Sequence, residues 1–318
     1  MSSPLLLSES DALMIGPAGV ALFSQWHLRL SEGLRSLPDK PEESPASAMR
    51  ALWFRTGGVL MSAEAAREQT LVALTPTQQM QLGRWVGKRL AGAPLAHITE
   101  RQRFMGLELL AGPQALIPRR ETEPLGEAAA ELLKKASAGG REALALDVCT
   151  GSGNLAFGIA ARVPAARVLA ADLSDDAVAL ARRNATHLGL QSRVELRQGD
   201  LLAPFDDPEF LGRVDVLVCN PPYISSGKLS SMPSEIAHFE PQLAFDGGPF
   251  GIRILQRLIR EAPRFLRSGG WLAFEVGLGQ GPSVIKRLVP ASGFGEVRLL
   301  SDAQGQVRAL LAQVQAPK

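Results

Sequence analysis

Ala143-Leu144-Ala145-Leu146-Asp147-Val148-Cys149-Thr150-Gly151-Ser152-Gly153-Asn154 decides the architecture: an apolar run enters a glycine turn, and residues 155–163 behind it carry apolar positions at helical spacing. Strand, glycine turn and helix follow one another. Gly151 and Gly153 let the backbone approach a ligand closely, and the helix N-terminus behind them favours negative charge such as a carboxylate. Residues 151–156 also fit the dinucleotide pattern G-x-G-x-x-A, so an NAD-binding reading competes. Asp147 argues against it, because a carboxylate just before the glycines would crowd a pyrophosphate. The same carboxylate could accept a hydrogen bond from a cationic amino group. The ligand indicated is an amino acid joined to a nucleoside.

Two further acidic positions agree. After the apolar run at 166–171, Asp172 sits at a strand end, where its two oxygens could take both hydroxyls of a ribose. Preceding Ser174-Asp175-Asp176, it reads equally as a helix cap. After a third run, at 194–198, Gly199-Asp200 offers a carboxylate to an exocyclic amine. A fourth run, Val214-Asp215-Val216-Leu217-Val218-Cys219, ends in Asn220-Pro221-Pro222-Tyr223. Pro222 holds Pro221 extended and leaves the Pro221 carbonyl able to accept, and the Asn220 side-chain carbonyl is a second acceptor. An NH2 group donating to both oxygens has its lone pair aimed away from them, and Tyr223 supplies an apolar wall with a polar tip. An isolated Pro-Pro pair would be a turn and nothing more.

Taken together these residues resemble class I S-adenosylmethionine-dependent methyltransferases, in which an acidic residue and Gly-x-Gly follow the first strand and Asn-Pro-Pro-Tyr follows the fourth. Ile117-Pro118-Arg119-Arg120-Glu121-Thr122-Glu123 and the loop from Glu235 through Phe239-Glu240-Pro241 to Asp246-Gly247-Gly248 are similar to the HemK-type protein-glutamine N5-methyltransferase branch, which modifies peptide-chain release factors. Residues 266–280 read like that branch's Gly-Gly turn, strand and Glu-x-Gly-x-x-Gln stretch, and the likeness covers about residues 74–318. The resemblance implies a doubly wound, Rossmann-like α/β sheet of seven strands, the last antiparallel, with a small helical N-terminal domain (residues 1–100), a β-hairpin linker (101–119) and a methyltransferase domain (120–318). It implies S-adenosyl-L-methionine as cofactor, held by Asp147, Thr150, Gly151, Ser152, Gly153, Asp172, Leu173, Asp200, Leu201 and Asn220. Asn220, Pro221, Pro222 and Tyr223 would bind the target amide and carry catalysis, with Glu121, Thr122 and Glu123 beside the substrate. For those last three a cofactor-side or structural role stays equally open. The implied partner is a protein bearing the target glutamine, a release factor in the first instance.

The chain departs from the branch at His97, Glu100 and Arg103, where Tyr, Gly and Glu are usual, and the first 70 residues show no assignable likeness. In the family the N-terminal domain recognises the protein, so these departures bear on substrate choice and leave the core chemistry intact.

Composition fits two domains: 318 residues, 46% hydrophobic. Lys plus Arg at 34 against Asp plus Glu at 32 gives 34 − 32 = +2, too balanced for tight nonspecific nucleic-acid binding. Arg84, Lys88 and Arg89 read as a solvated helix face, and Arg101 and Arg103 extend the patch. No eighteen-residue apolar run or basic secretory start is present, and a cytoplasmic protein is expected. Cys149 and Cys219 read as reduced core residues, and no metal-ligand spacing is found. Residues 79–90 read as an amphipathic helix, residues 37–45 as an exposed loop, residues 104–117 as a hairpin, and Trp26, Trp53 and Trp85 as packing residues. Ribosomal-protein glutamine methylation, amino methylation of adenine or cytosine in nucleic acid, and a non-catalytic cofactor-binding scaffold are the competing functions.

Overall fold

A computed structural model describes residues 7–35, 37–286 and 292–315. The chain divides into two compact units that are discontinuous in sequence. Residues 1–103, 108–113 and 234–239 form one; residues 104–107, 114–233 and 240–318 form the other.

Unit 1 is helical: α1 (Glu9–Gly33), α2 (Pro45–Thr56), α3 (Ala63–Arg67), α4 (Pro76–Leu90) and α5 (Leu95–Thr99). Helix α4 starts earlier than its apolar pattern suggests, because Thr75 and Gln78 form a capping box and Pro76 occupies the first turn. Trp53 is buried and Trp26 and Trp85 pack against the same apolar cluster, as expected of packing residues. The segment 37–45 is irregular, but its charged side chains are not exposed as the sequence reading had them: Lys40, Glu42 and Glu43 are buried. Arg89, read as solvated, is buried as well and explains why. It donates to Glu43 at 3.0 Å and to Glu235 at 2.8 Å, while Lys40 reaches the other Glu235 oxygen at 2.8 Å. Composition marks such a segment as a loop, whereas ion pairing with distant residues decides its burial. Arg84 and Lys88 are exposed, the latter over the Trp85 ring. Glu100 adopts φ 59°, a left-handed conformation that suits the glycine usual there.

The hairpin falls earlier than the Gly112-Pro113 signal implied. Its strands are β1 (Arg101–Phe104) and β2 (Leu107–Leu110), turning at Met105 and Gly106, both with positive φ.

Unit 2 carries α6 (Glu123–Ala136), β3 (Ala143–Val148), α7 (Asn154–Arg162), β4 (Ala166–Asp172), α8 (Asp175–Leu188), β5 (Val194–Gln198) and β6 (Val214–Cys219). After β6 a long loop passes through α9 (Ser234–Phe239, in unit 1), and α10 (Arg253–Glu261), β7 (Leu266–Glu275), α11 (Gly281–Ile285), β8 (Phe294–Ser301) and β9 (Val307–Val314) complete the chain. The seven strands lie in the order β5-β4-β3-β6-β7-β9-β8. Pairs from β5 to β7 are parallel, and β9 runs antiparallel to both β7 and β8. The expected seven-stranded α/β sheet with an antiparallel last strand is therefore present. The expected Gly-Gly turn interrupts β7: Val214 pairs with Leu266 and Val216 with Trp271, so residues 267–270 bulge out and turn at Gly269, φ 74°, before continuous pairing resumes at Trp271.

Both sheet faces are buried, as the near-continuous apolar strands require. Leu146, Val148, Leu217, Cys219, Leu272 and Phe274 face one core with Leu255 and Leu258 of α10. The alternate positions Ala145, Val168, Ala170, Val216 and Val218 are equally buried, and α6 and α7 pack on these strands. The chain leaves β3 for β4 and β5 on one side, then crosses to β6 on the other. A topological switch point thus opens between β3 and β6, where open α/β sheets bind ligands.

Removing Arg89 leaves Glu43 and Glu235 buried without their shared cation. Arg89→Ala is expected to lower stability by about 3–5 kcal/mol, read by urea unfolding followed through tryptophan fluorescence. A loss below about 1 kcal/mol would show that the cluster behaves as a surface pair.

Candidate active site

Between the C-terminal ends of β3, β4, β5 and β6 lies a cavity of about 180 Å³ that opens to solvent, at the edge where open α/β sheets bind ligands. Its wall includes Cys149, Gly151, Asp172, Leu173, Asp200, Leu201, Asn220 and Pro222. Residues drawn from four successive strand ends therefore meet, as the spacing predicted. Asp147, Thr150, Ser152, Gly153, Pro221 and Tyr223 lie behind the wall rather than on it. Cys149 and Leu201 on the wall both have positive φ without being glycine, so the chain holds them in a conformation L residues disfavour.

Asp172 organises the turn. Its Oδ2 accepts the Gly151 N–H at 2.8 Å and its Oδ1 accepts the Ser174 N–H at 2.9 Å, whereas α8 is capped by Ser174, whose Oγ accepts the Ala177 N–H at 3.3 Å; Asp172 is therefore a turn residue and not the helix cap. The carboxylate lines the cavity and keeps acceptor capacity beyond these bonds. Burial pushes the Asp172 carboxyl up, and the Ser174 and Gly151 amides oppose it.

Asp147 is wholly buried under the turn. Its Oδ2 receives the Thr150 hydroxyl at 2.5 Å and the Ala156 N–H at 3.1 Å, which ties the strand end to the first turn of α7. Its Oδ1 has no hydrogen-bond partner. Burial raises the carboxyl from 3.8 to about 7. A buried, half-satisfied carboxylate of this kind fits the ammonium of an amino-acid ligand. Asp200 also reaches the cavity, but its oxygens already receive Arg257 Nη1 at 3.1 and 2.8 Å.

Asn220 and Tyr223 are held by a network that motif reading did not reveal. Tyr223 donates its hydroxyl to Glu275 Oε1 at 3.0 Å, Thr122 donates to Glu275 Oε2 at 2.6 Å, and Asn220 Nδ2 donates to Thr122 Oγ1 at 3.2 Å. Burial raises the Glu275 carboxyl to about 7, against the hydrogen bond from Thr122. It also pushes the Tyr223 phenol well above its usual value. Five residues on, Gln280 Nε2 donates to the Tyr223 carbonyl at 2.9 Å and to the Gly251 carbonyl at 3.2 Å. Glu-x-Gly-x-x-Gln is therefore the clamp of the tetrapeptide.

The remaining motifs also act as fasteners. Glu240 accepts the Ile117 N–H at 2.8 Å and Arg119 Nη2 at 2.6 Å, joining the Phe-Glu-Pro loop to the segment before α6. The loop's glycines are set by close approach: a Cβ on Gly247 would stand 2.7 Å from the Pro222 carbonyl oxygen, and one on Gly251, at φ 68°, would collide with that of Tyr223. Glu121 and Glu123 point elsewhere than Thr122. Glu121 pairs with Arg308 at 2.7 Å, and Glu123 accepts the Met105 N–H of the hairpin turn at 2.6 Å. Sequence spacing could flag Glu275, Gln280 and Glu240 as motif members but not their partners, which lie far away along the chain.

A family model described as a methyltransferase domain matches residues 145–239. The release factor glutamine methyltransferase of Moorella thermoacetica is 40% identical to this chain over 241 residues, 75% of this chain and 81% of that one. That of Geobacter sulfurreducens is 36% identical over 220 residues, 69% and 73% of the two chains. Among solved structures, the hMettl16 catalytic domain in complex with MAT2A 3'UTR hairpin 6 matches with a TM-score of 0.51 at 17% identity, over 73% of this chain and 84% of that one. That is a likeness of fold alone.

Because the folded Asp147 titrates at about 7 and the unfolded one near 3.8, folding takes up a proton there between those values. The wild-type protein consequently loses stability from this group as pH rises from about 4 to about 7, with the loss complete above. Asp147→Asn keeps the shape without the charge. Its melting temperature relative to wild type is expected to climb across that window, and a difference independent of pH would contradict the buried-carboxyl account.

Proposed function

Because this chain belongs to the release factor glutamine methyltransferase family, we infer that it transfers a methyl group from S-adenosylmethionine to the side-chain amide nitrogen of a glutamine in a peptide-chain release factor. The observation that carries this reading is the Asn220-Pro221-Pro222-Tyr223 turn, with Asn220 and Pro222 on the cavity wall and Tyr223 fastened behind. Asp147, with Thr150, Gly151, Ser152 and Gly153, would receive the amino-acid end of the cofactor; Asp172 and Leu173 the ribose; Asp200 and Leu201 the base. When bound, the cofactor supplies an electrophilic methyl group on its sulfonium.

A neutral amide is a poor nucleophile, because resonance occupies its lone pair. Asn220 Oδ1 and the Pro221 carbonyl would accept its two N–H bonds and orient the nitrogen. As positive charge develops there, both hydrogen bonds strengthen, which stabilises the transition state more than the ground state. Alignment lowers much of the remaining barrier. Tyr223 would flank the amide. Leu243, 49% exposed on the cavity wall, would offer apolar contact for the chain around the target glutamine. The helical N-terminal domain would choose the protein. No described helix is long and apolar enough to cross a membrane, and the cytoplasm, where release factors work, is the proposed compartment.

Calorimetry and single-turnover methylation separate cofactor binding from transfer. Asp172→Ala is expected to weaken S-adenosylmethionine binding by about 1.5–3 kcal/mol, and affinity equal to wild type would leave Asp172 as a turn residue alone. Asn220→Ala is expected to bind the cofactor normally and transfer methyl about 10²–10³-fold more slowly, with Tyr223→Phe milder. Near-normal transfer by folded Asn220→Ala would reduce the tetrapeptide to a structural turn.

A further inference from the structure

The side-chain amide of Asn220 has nearly the same shape whichever way it is turned, so packing alone does not choose between presenting its carbonyl and presenting its NH2. The choice matters for the function inferred above, on which this inference rests. A target amide NH2 meets an acceptor if Oδ1 faces it and a second donor if Nδ2 does.

We propose that Thr122, held by Glu275, is a positioning residue that turns the Asn220 carbonyl toward the substrate amide. A threonine hydroxyl has one proton. When Glu275 is ionised its Oε2, at 2.6 Å, takes it, so the Thr122 oxygen then acts toward Asn220 only as an acceptor. Asn220 Nδ2 lies 3.2 Å from that oxygen and satisfies it, which leaves Oδ1 for the cavity that Asn220 lines. Reversing the amide would set its oxygen against the lone pairs of Thr122. The carboxylate is itself fixed, because Tyr223 occupies its other oxygen at 3.0 Å. Thr122 is buried and its hydroxyl is taken up by Glu275 and Asn220, so it acts through Asn220 and not on the substrate. Thr122 and Glu275 also lie at opposite ends of the motif set, one before α6 and the other at the end of β7, and this chain of donors gives both a common purpose.

The test is a double-mutant cycle read by single-turnover methylation of a release factor, with calorimetric S-adenosylmethionine affinity and thermal melting as controls. Thr122→Val is expected to lower the transfer rate about 10–100-fold with cofactor affinity retained. In the Asn220→Ala background the same substitution is expected to cost less than about threefold, since a positioning residue has nothing left to position. Thr122→Ser, which keeps the hydroxyl, is expected to recover most of the lost rate. Wild-type transfer by Thr122→Val, or its full loss repeated on top of Asn220→Ala, or failure of Thr122→Ser to recover rate while folded, would overturn the proposal. Undiminished transfer by Asn220→Ala alone would instead sink the catalytic reading of the tetrapeptide, and the proposal with it.

Discussion

Parallel pairing of β3 with β6, with Val148 opposite Cys219, is the constraint from which the site follows. It brings the end of one strand, with Asp147, beside the end of another, with Asn220, at the place where the chain changes its direction of travel across the sheet. Pairing stops there, and the polar backbone and side chains beyond it must find other partners. They find one another: Thr150 N–H meets the Ala171 carbonyl at 3.0 Å, Gly199 N–H meets the Asp172 carbonyl at 2.9 Å, Ile224 N–H meets the Phe245 carbonyl at 2.9 Å and Gly247 N–H meets the Ile224 carbonyl at 2.8 Å.

The two ends of β6 show how differently carboxylates are treated. Asp215, near its start, is buried too, yet Arg141, Arg267 and the Leu144 N–H surround it, and these partners hold its carboxyl below the usual range against the effect of burial. Asp147 and Glu275, at the other edge of the sheet, lack a comparable cation at their oxygens and rise to about 7. Asp215 is compensated by two guanidinium groups, whereas Asp147 at the ligand edge is left with one oxygen unpartnered. This is the pattern expected where stability is given up for binding and positioning.

Much of this was legible in the sequence. The apolar runs beginning at Ala143 and Val214 have the strand limits their composition indicates, and the one from Ala166 extends by one residue to Asp172, because buried parallel strands read as continuous apolar stretches; the half-exposed edge strand from Val194 also keeps its expected limits. The meeting of Asp172, Asp200 and Asn220 on one wall followed from their places at strand ends. What could not be read was pairing between distant residues. Lys40, Glu42 and Glu43 look like a solvated loop until Arg89 and Glu235 are set among them, and Glu275 looks like a strand-end acid until Thr122 and Tyr223 arrive. Gly269-Gly270 reads as a turn and turns the chain, and only the register with β6 shows that the turn is a bulge within a strand. Local chemistry is written locally, while the satisfaction of buried polar groups is a property of the fold.

The central claim is that this chain methylates a glutamine side-chain nitrogen in a protein. Incubation with isotope-labelled S-adenosylmethionine, a release factor and bulk cellular RNA, followed by tandem mass spectrometry of the protein and nucleoside analysis of the RNA, addresses it directly. The account predicts one labelled methyl on a glutamine amide nitrogen of the release factor and none on the nucleosides. Label on the amino group of adenine or cytosine, with the release factor unmodified, would contradict it.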